Sequence, residues 1–147
     1  MKLLAIVPGP VTGWATFNDD HFGASGEYGP REHHGDTFTA ITIYDPDVVI
    51  CESYGVENSW VKLEYIGVVK AAAMLAAKRL VLQGLVTQEW ATDIKLKRTG
   101  VTHTNWYLVR QQVAAQRHIL YYLAHNTFVE DSIRRAVLRS IKPKPGS

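Results

Sequence analysis

The stretch LLAIVPGPVTGWATF, residues 3–17, decides how the rest of the chain is read. Residues 2–7 (KLLAIV) form a short apolar run ending at Val7, the pattern of a strand buried on both faces. Pro8-Gly9-Pro10 builds a tight turn, and residues 13–18 (GWATFN) alternate loosely after it, so the two runs predict a hairpin.

Working outward, residues 24–28 (ASGEY) predict a third strand, and the spacing of Phe38, Ile41, Ile43 and Tyr44 predicts a helix ended by Asp45-Pro46. Residues 47–54 (DVVICESY) have the β-branched, apolar character of a central strand. Residues 61–82 (VKLEYIGVVKAAAMLAAKRLVL) are rich in Ala and Leu and predict one long amphipathic helix closed by Gly84. A short strand follows at 85–91 (LVTQEWA), then a basic helix or turn at 92–100 (TDIKLKRTG). Thr104 is a candidate cap for a helix running to about His125, and Asn126 or Thr127 for a last one over 128–141. The order β-β-β-α-β-α-β-α-α predicts an α/β domain over residues 1–141, with a mixed sheet flanked by helices and a tail at 142–147.

Composition narrows the function classes. A formal charge of only +2 gives no general attraction to nucleic acid, so any such argument rests on where the charges lie. The single cysteine, Cys51, excludes an internal disulfide and a cysteine-based metal site, and fits a reducing cytosol. No apolar run approaches the ~18 residues of a membrane span. The expectation is a soluble, cytoplasmic protein.

Three segments together resemble the RuvC-like Holliday junction resolvases, especially the bacteriophage type, within the RNase H-like superfamily. The opening stretch is similar to the family's strand-turn-strand, an apolar run, Asp-Pro-Gly, then Thr-Gly. DVVICESY resembles the strand that ends in the family's catalytic glutamate, here Glu52. Residues 114–124 (AAQRHILYYLA) resemble the last-helix pattern Asp-Ala-x-x-His, and 91–100 (ATDIKLKRTG) the Val-Lys-x-x-x-Thr-Gly stretch. The likeness spans about residues 2–124 and implies an RNase H-like, RuvC-type five-stranded sheet. It also implies carboxylates from two strands and the last helix that hold two Mg²⁺ ions, or Mn²⁺, for phosphodiester cleavage.

Carried over residue by residue, the resemblance puts Val7, Glu52, Ala114 and His118 where the family has Asp, Glu, Asp and His. A register with three-residue spacing would pair Ala115 with His118 instead, and it too gives an alanine. Glu52 and His118 are left as a remnant catalytic and metal site, and imidazole suits Zn or Mn better than Mg. No cofactor is expected in this form. The acids that might substitute are Asp19, Asp20, Glu64 and Asp93, and His21, His33 and His34 match no standard metal spacing.

Candidate DNA contacts are Lys95, Lys97, Arg98 and Thr99, together with Arg110 and Arg117 on the helix that carries Ala114. Trp106 stands where the family commonly has a lysine, and an aromatic there can stack on a base. Tyr54 and Trp60 flank the loop where cellular resolvases insert a wedge into the junction, and Gly55 occupies the wedge position itself. Arg134, Arg135, Arg139, Lys142 and Lys144 make the C-terminal end basic. The family is commonly homodimeric, and Ala71, Ala72, Ala73, Ala76 and Ala77 of the long helix would allow close approach of a second copy. Three functions follow in order of expectation: a resolvase homologue that binds branched, four-way-junction DNA with cleavage lost or impaired; a protein-interaction or structural module; and an active nuclease using displaced acids.

Overall fold

A computed structural model describes residues 1–53 and 60–145. Five strands, β1 (Lys2–Val7), β2 (Thr12–Asn18), β3 (His21–Tyr28), β4 (Val48–Glu52) and β5 (Arg79–Gln83), form one sheet in the order β3-β2-β1-β4-β5. The first three strands are an antiparallel meander, whereas β4 and β5 run parallel to β1. The pleat sends Leu3, Ala5, Val7, Val48 and Ile50 toward α5 (Arg110–His125). It sends Leu4, Ile6, Val49 and Cys51 toward α1 (His33–Tyr44) and α2 (Trp60–Leu75). Burial on both faces is why β1 and β4 read as unbroken apolar runs. Cys51 is fully buried, and that burial pushes its thiol pKa up to about 12.

The predicted helix over 61–82 divides. α2 ends at Leu75 in a Schellman turn, in which Lys78 N–H donates to Ala73 O at 2.8 Å and Ala77 N–H donates to Met74 O at 3.1 Å. Ala77 takes the left-handed conformation at φ 56°, where glycine is usual. Residues 79–83 then leave the helix because Leu80, Val81 and Leu82 pair with Val49, Ile50 and Cys51 of β4. Helix propensity favours continuation, and tertiary pairing overrides it. Ala72 and Ala73 lie buried against the sheet, so these two alanines serve packing within the chain.

The remaining differences have similar causes. LVTQEWA is not a strand; it contains α3 (Val86–Trp90), and α4 (Asp93–Arg98) follows with Thr92 accepting from Lys95 N–H. β3 begins at His21, three residues before the expected start. α5 begins at Arg110, well after Thr104, and its first amides are capped from across the sheet: Glu27 Oε2 of β3 accepts from Gln111 N at 3.0 Å and Gln112 N at 3.1 Å. α6 (Asp131–Ser140) begins later than expected because Asn126 Oδ1 holds a preceding turn through Phe128 N. Asp45, in the left-handed region at φ 53°, ends α1 as the sequence predicts.

Ala77→Gly should raise stability by about 1 kcal/mol, because only the Cβ opposes the left-handed turn there. Urea unfolding of the two proteins measures it.

Candidate functional site

The strands bring five residues into line at one end of the sheet. Val7 of β1 pairs with Gly13 of β2, and Gly13 with Glu27 of β3. In the other direction the parallel pairing of β1 with β4 reaches Ile6 and Cys51, the residues just before Val7 and Glu52, and Glu52 pairs with Gln83 of β5. α5 lies close above this row. A Cβ on Gly13 would meet Gln111 O at 1.9 Å, so only glycine admits the helix at that distance. Ala114 packs against the same apolar cluster as Val7, and His118 follows one turn later.

The polar part of the site is a chain of four side chains. Glu52, 3% exposed, places Oε1 at 2.5 Å from Lys62 Nζ of α2 and Oε2 at 3.2 Å from His118 Nε2. Gln83 Nε2 lies 3.0 Å from His118 Nδ1 and 2.9 Å from His118 O. Its two amide protons serve the ring nitrogen and the carbonyl, so Nδ1 accepts and the imidazole donates its Nε2 proton to Glu52. Burial pushes the Glu52 carboxyl upward, but hydrogen bonds from His118 and Lys62, with the Lys62 charge, outweigh it and hold the pKa below the ordinary 4.5.

These residues do not fit two Mg²⁺ ions. Such ions rely on several carboxylate oxygens, and among the described residues no three His, Cys, Asp or Glu side chains converge. Val7 and Ala114 supply no oxygen from their side chains, and an ammonium and an imidazole engage both oxygens of Glu52.

The displaced acids are placed elsewhere. Asp19 and Asp20 lie in the β2–β3 turn at the opposite end of the sheet, beside Lys2, and Asp19 pairs with the N-terminal ammonium at 2.6 Å. Glu64 is 3.6 Å from His34 on the exposed side of α2. Asp93 pairs with Arg117 of α5. His33, at the start of α1, is fully buried, hydrogen-bonded to Thr12 Oγ1 and Tyr65 O and stacked on Tyr65 at 4.0 Å.

Several candidate DNA contacts hold intramolecular roles. Lys95 donates to Trp90 O at 2.9 Å and covers the Trp90 ring, and Arg98 donates to Ile141 O at 2.9 Å, tying α4 to the end of α6. Thr99 caps α4 through Leu96 O at 2.6 Å. Arg117 also donates to Gln88 Oε1 at 3.3 Å. Trp106 is half-buried, with Lys97 Nζ 5.2 Å from its ring centroid and His103 set edge-on to it. Arg110 and Lys97 are exposed, as is Trp60 at 87%. Tyr54 and Gly55 lie outside the described residues.

Lys62 and Gln83 are the members of this site that sequence reasoning missed. Lys62 reads as the outer face of a helix. Gln83 would have been visible as a polar residue on the inward phase of a strand, had residues 79–83 been assigned to one.

No family model matches the sequence, and no curated protein matches it. Solved structures do share its fold. RuvC of T. thermophilus bound to a Holliday junction substrate superposes with a TM-score of 0.61 at 15% identity, over 83% of this chain and 94% of that one. Thermus thermophilus RuvC in a second structure gives 0.60 at 15%, over 83% and 95%. Fowlpox virus resolvase with its substrate Holliday junction DNA gives 0.50 at 15%, over 95% and 97%. The mixed five-stranded sheet with flanking helices is the RuvC-type, RNase H-like fold.

Lys62→Met should cost about 3 kcal/mol in chemical unfolding by leaving a buried carboxylate short of its cation, and adding Glu52→Gln should recover a large part of it. Because the folded Glu52 pKa is depressed, its stabilisation is present above its unfolded value and lost as pH falls through the lower folded one. The stability gap between the parent and Glu52→Gln should therefore narrow below pH 4.5, read by urea unfolding across an acid series.

Proposed function

We propose that the chain binds branched DNA, four-way junctions in particular, and does not perform the metal-dependent cleavage associated with the RuvC-type fold. The observation that carries this reading is the Lys62–Glu52–His118 arrangement beneath Val7 and Ala114. Of the positions where the resemblance calls for acidic metal ligands, Glu52 alone carries a carboxylate, and it is already neutralised from within the chain. Two of the three solved neighbours described above hold Holliday junction DNA in their structures, and the fold is shared across most of this chain. Exposed Lys97 and Arg110, near the start of α5, supply positive charge on the same side. A second copy of the chain would match the two-fold symmetry of a four-way junction.

A second reading, a protein-interaction module, is favoured by apolar side chains left outside on the helical layer. Trp60, Met74 and Leu75 of α2 and Ile43 of α1 are each at least 73% exposed.

Gel-shift titration of a four-way junction against a linear duplex of the same length separates the two. Junction binding about tenfold tighter, with no nicking in Mg²⁺ or Mn²⁺, is the expected result. Weak binding equal on both DNAs would favour the interaction module, and robust Mg²⁺-dependent nicking by the parent protein would sink the claim of lost cleavage. Metal-dependent cleavage should appear in a Val7→Asp, Ala114→Asp variant only when Lys62→Ala is added, since the ammonium otherwise stays on Glu52.

A further inference from the structure

The segment between α4 and α5 ends in a turn that displays two large side chains to solvent. Tyr107 is 72% exposed and its neighbour Leu108 is 68% exposed. The turn itself is firmly held. Asn105 Oδ1 accepts from Tyr107 N at 3.1 Å and from Leu108 N at 3.2 Å, and Arg110 N donates to Tyr107 O at 3.3 Å. From below, Trp106 packs into the apolar cluster with Val101, Val109 and Leu96. From the side, the Glu27 carboxylate fixes the first amides of α5. Side chains placed this way contribute little to the core, and water contact is costly for both. The backbone around them is nonetheless pinned by a side-chain amide, a tryptophan anchor and a carboxylate from another strand.

The surroundings indicate the chemistry of an occupant. The Arg110 guanidinium lies 4.9 Å from the Tyr107 ring centroid, and Lys97 lies 5.2 Å from the Trp106 centroid. Cations beside an exposed aromatic ring combine a planar, apolar contact with attraction for phosphate, which is what an unpaired nucleotide presents. The turn lies at the end of the sheet where β1 and β4 finish, because Gly13, paired with Val7, touches the first turn of α5.

We propose that Tyr107 and Leu108 form a stacking site for an unpaired nucleobase of DNA, with Arg110 and Lys97 attracting the adjoining phosphates. Trp106, half-buried beneath Lys97 and edge-on to His103, is the anchor of this turn, and Tyr107 is its platform. The inference deepens the branched-DNA reading above and rests on it for the biological substrate, since a strand exchange point offers bases with disturbed stacking. The stacking chemistry itself is testable without a junction.

The test compares the parent with Tyr107→Ala, Tyr107→Phe and Arg110→Ala on three fluorescent DNAs: a single strand of about 15 nucleotides, a linear duplex and a four-way junction, all at low salt. Tyr107→Ala should lose about tenfold in affinity for the single strand with little change on the duplex, and Tyr107→Phe should bind as the parent does. A 2-aminopurine base in the single strand should be quenched on binding to the parent and less so with Tyr107→Ala. Arg110→Ala should weaken every DNA and lower the salt dependence. The stacking site is overturned if the parent does not bind the single strand, if Tyr107→Ala binds it as tightly as the parent, or if duplex and single strand weaken by the same factor. Failure of the parent to prefer the junction, with the single-strand result intact, would remove the branched-DNA reading and leave the stacking site standing.

Discussion

A carboxylate buried at the end of a central strand must be compensated, and in this protein the compensation organises both helical layers. Glu52 ends β4, between β1 and β5, at 3% exposure. Taking such a charge out of water costs several kcal/mol unless cations or donors replace the lost hydration. Lys62 reaches it from α2, which packs on one face of the sheet, and His118 reaches it from α5 on the other. Gln83 of β5 then fixes the imidazole so that its proton points at the carboxylate. One group therefore ties the two helix layers and two adjacent strands to a single point. Displacing either helix would expose an unpaired charge in the interior, a stronger constraint on register than apolar packing alone imposes.

The legibility of this arrangement in the sequence follows the range of the interactions. β1 and β4 are readable because burial on both faces leaves an unbroken apolar run, and their ends mark Val7 and Glu52 without any tertiary information. Ala114 and His118 come from the resemblance, and a helix that repeats its face every four residues places them together. The boundary at Leu75 was hidden, since nothing in an Ala-rich run announces that Ala77 will turn left-handed and that Leu80, Val81 and Leu82 will be captured by β4. That single error concealed Gln83, whose role depends on its phase in a strand. It also left Lys62 as one more lysine on a long helix. Glu27 was equally invisible: its carboxylate caps a helix more than eighty residues away, and no local pattern encodes that contact.

The same site shows why these four residues are consistent with one another. Three carboxylates converging on this point would repel one another and would need divalent cations to relieve the repulsion. With Val7 and Ala114 at two of the three positions, the negative charge those positions carry falls to that of Glu52, which one ammonium neutralises. Val7 is 2% exposed and packs with Leu3, Ala5 and Ala115, so the apolar cluster runs to the end of the strand where a charged residue would interrupt it. The lysine and the two apolar residues are mutually dependent. An additional carboxylate would outnumber Lys62, and removing Lys62 would leave Glu52 without its cation.

On the proposed reading, this changes where the energy of binding DNA must come from. In a two-metal nuclease the ions themselves grip the phosphates at the scissile bond, and the protein side chains around them need only orient the backbone. A centre closed by Lys62 and His118 offers no such grip, because both partners of Glu52 are turned inward to the carboxylate. Affinity must then be supplied by side chains at the rim. The turn over residues 105–110 is suited to that: its backbone is fixed by Asn105 and by its tryptophan anchor, so little conformational freedom remains to be lost on binding. Glu27, whose carboxylate caps α5, is committed to holding that turn's helix in place. Closing the centre and presenting the rim are thus two consequences of how the acidic residues at this end of the sheet are used.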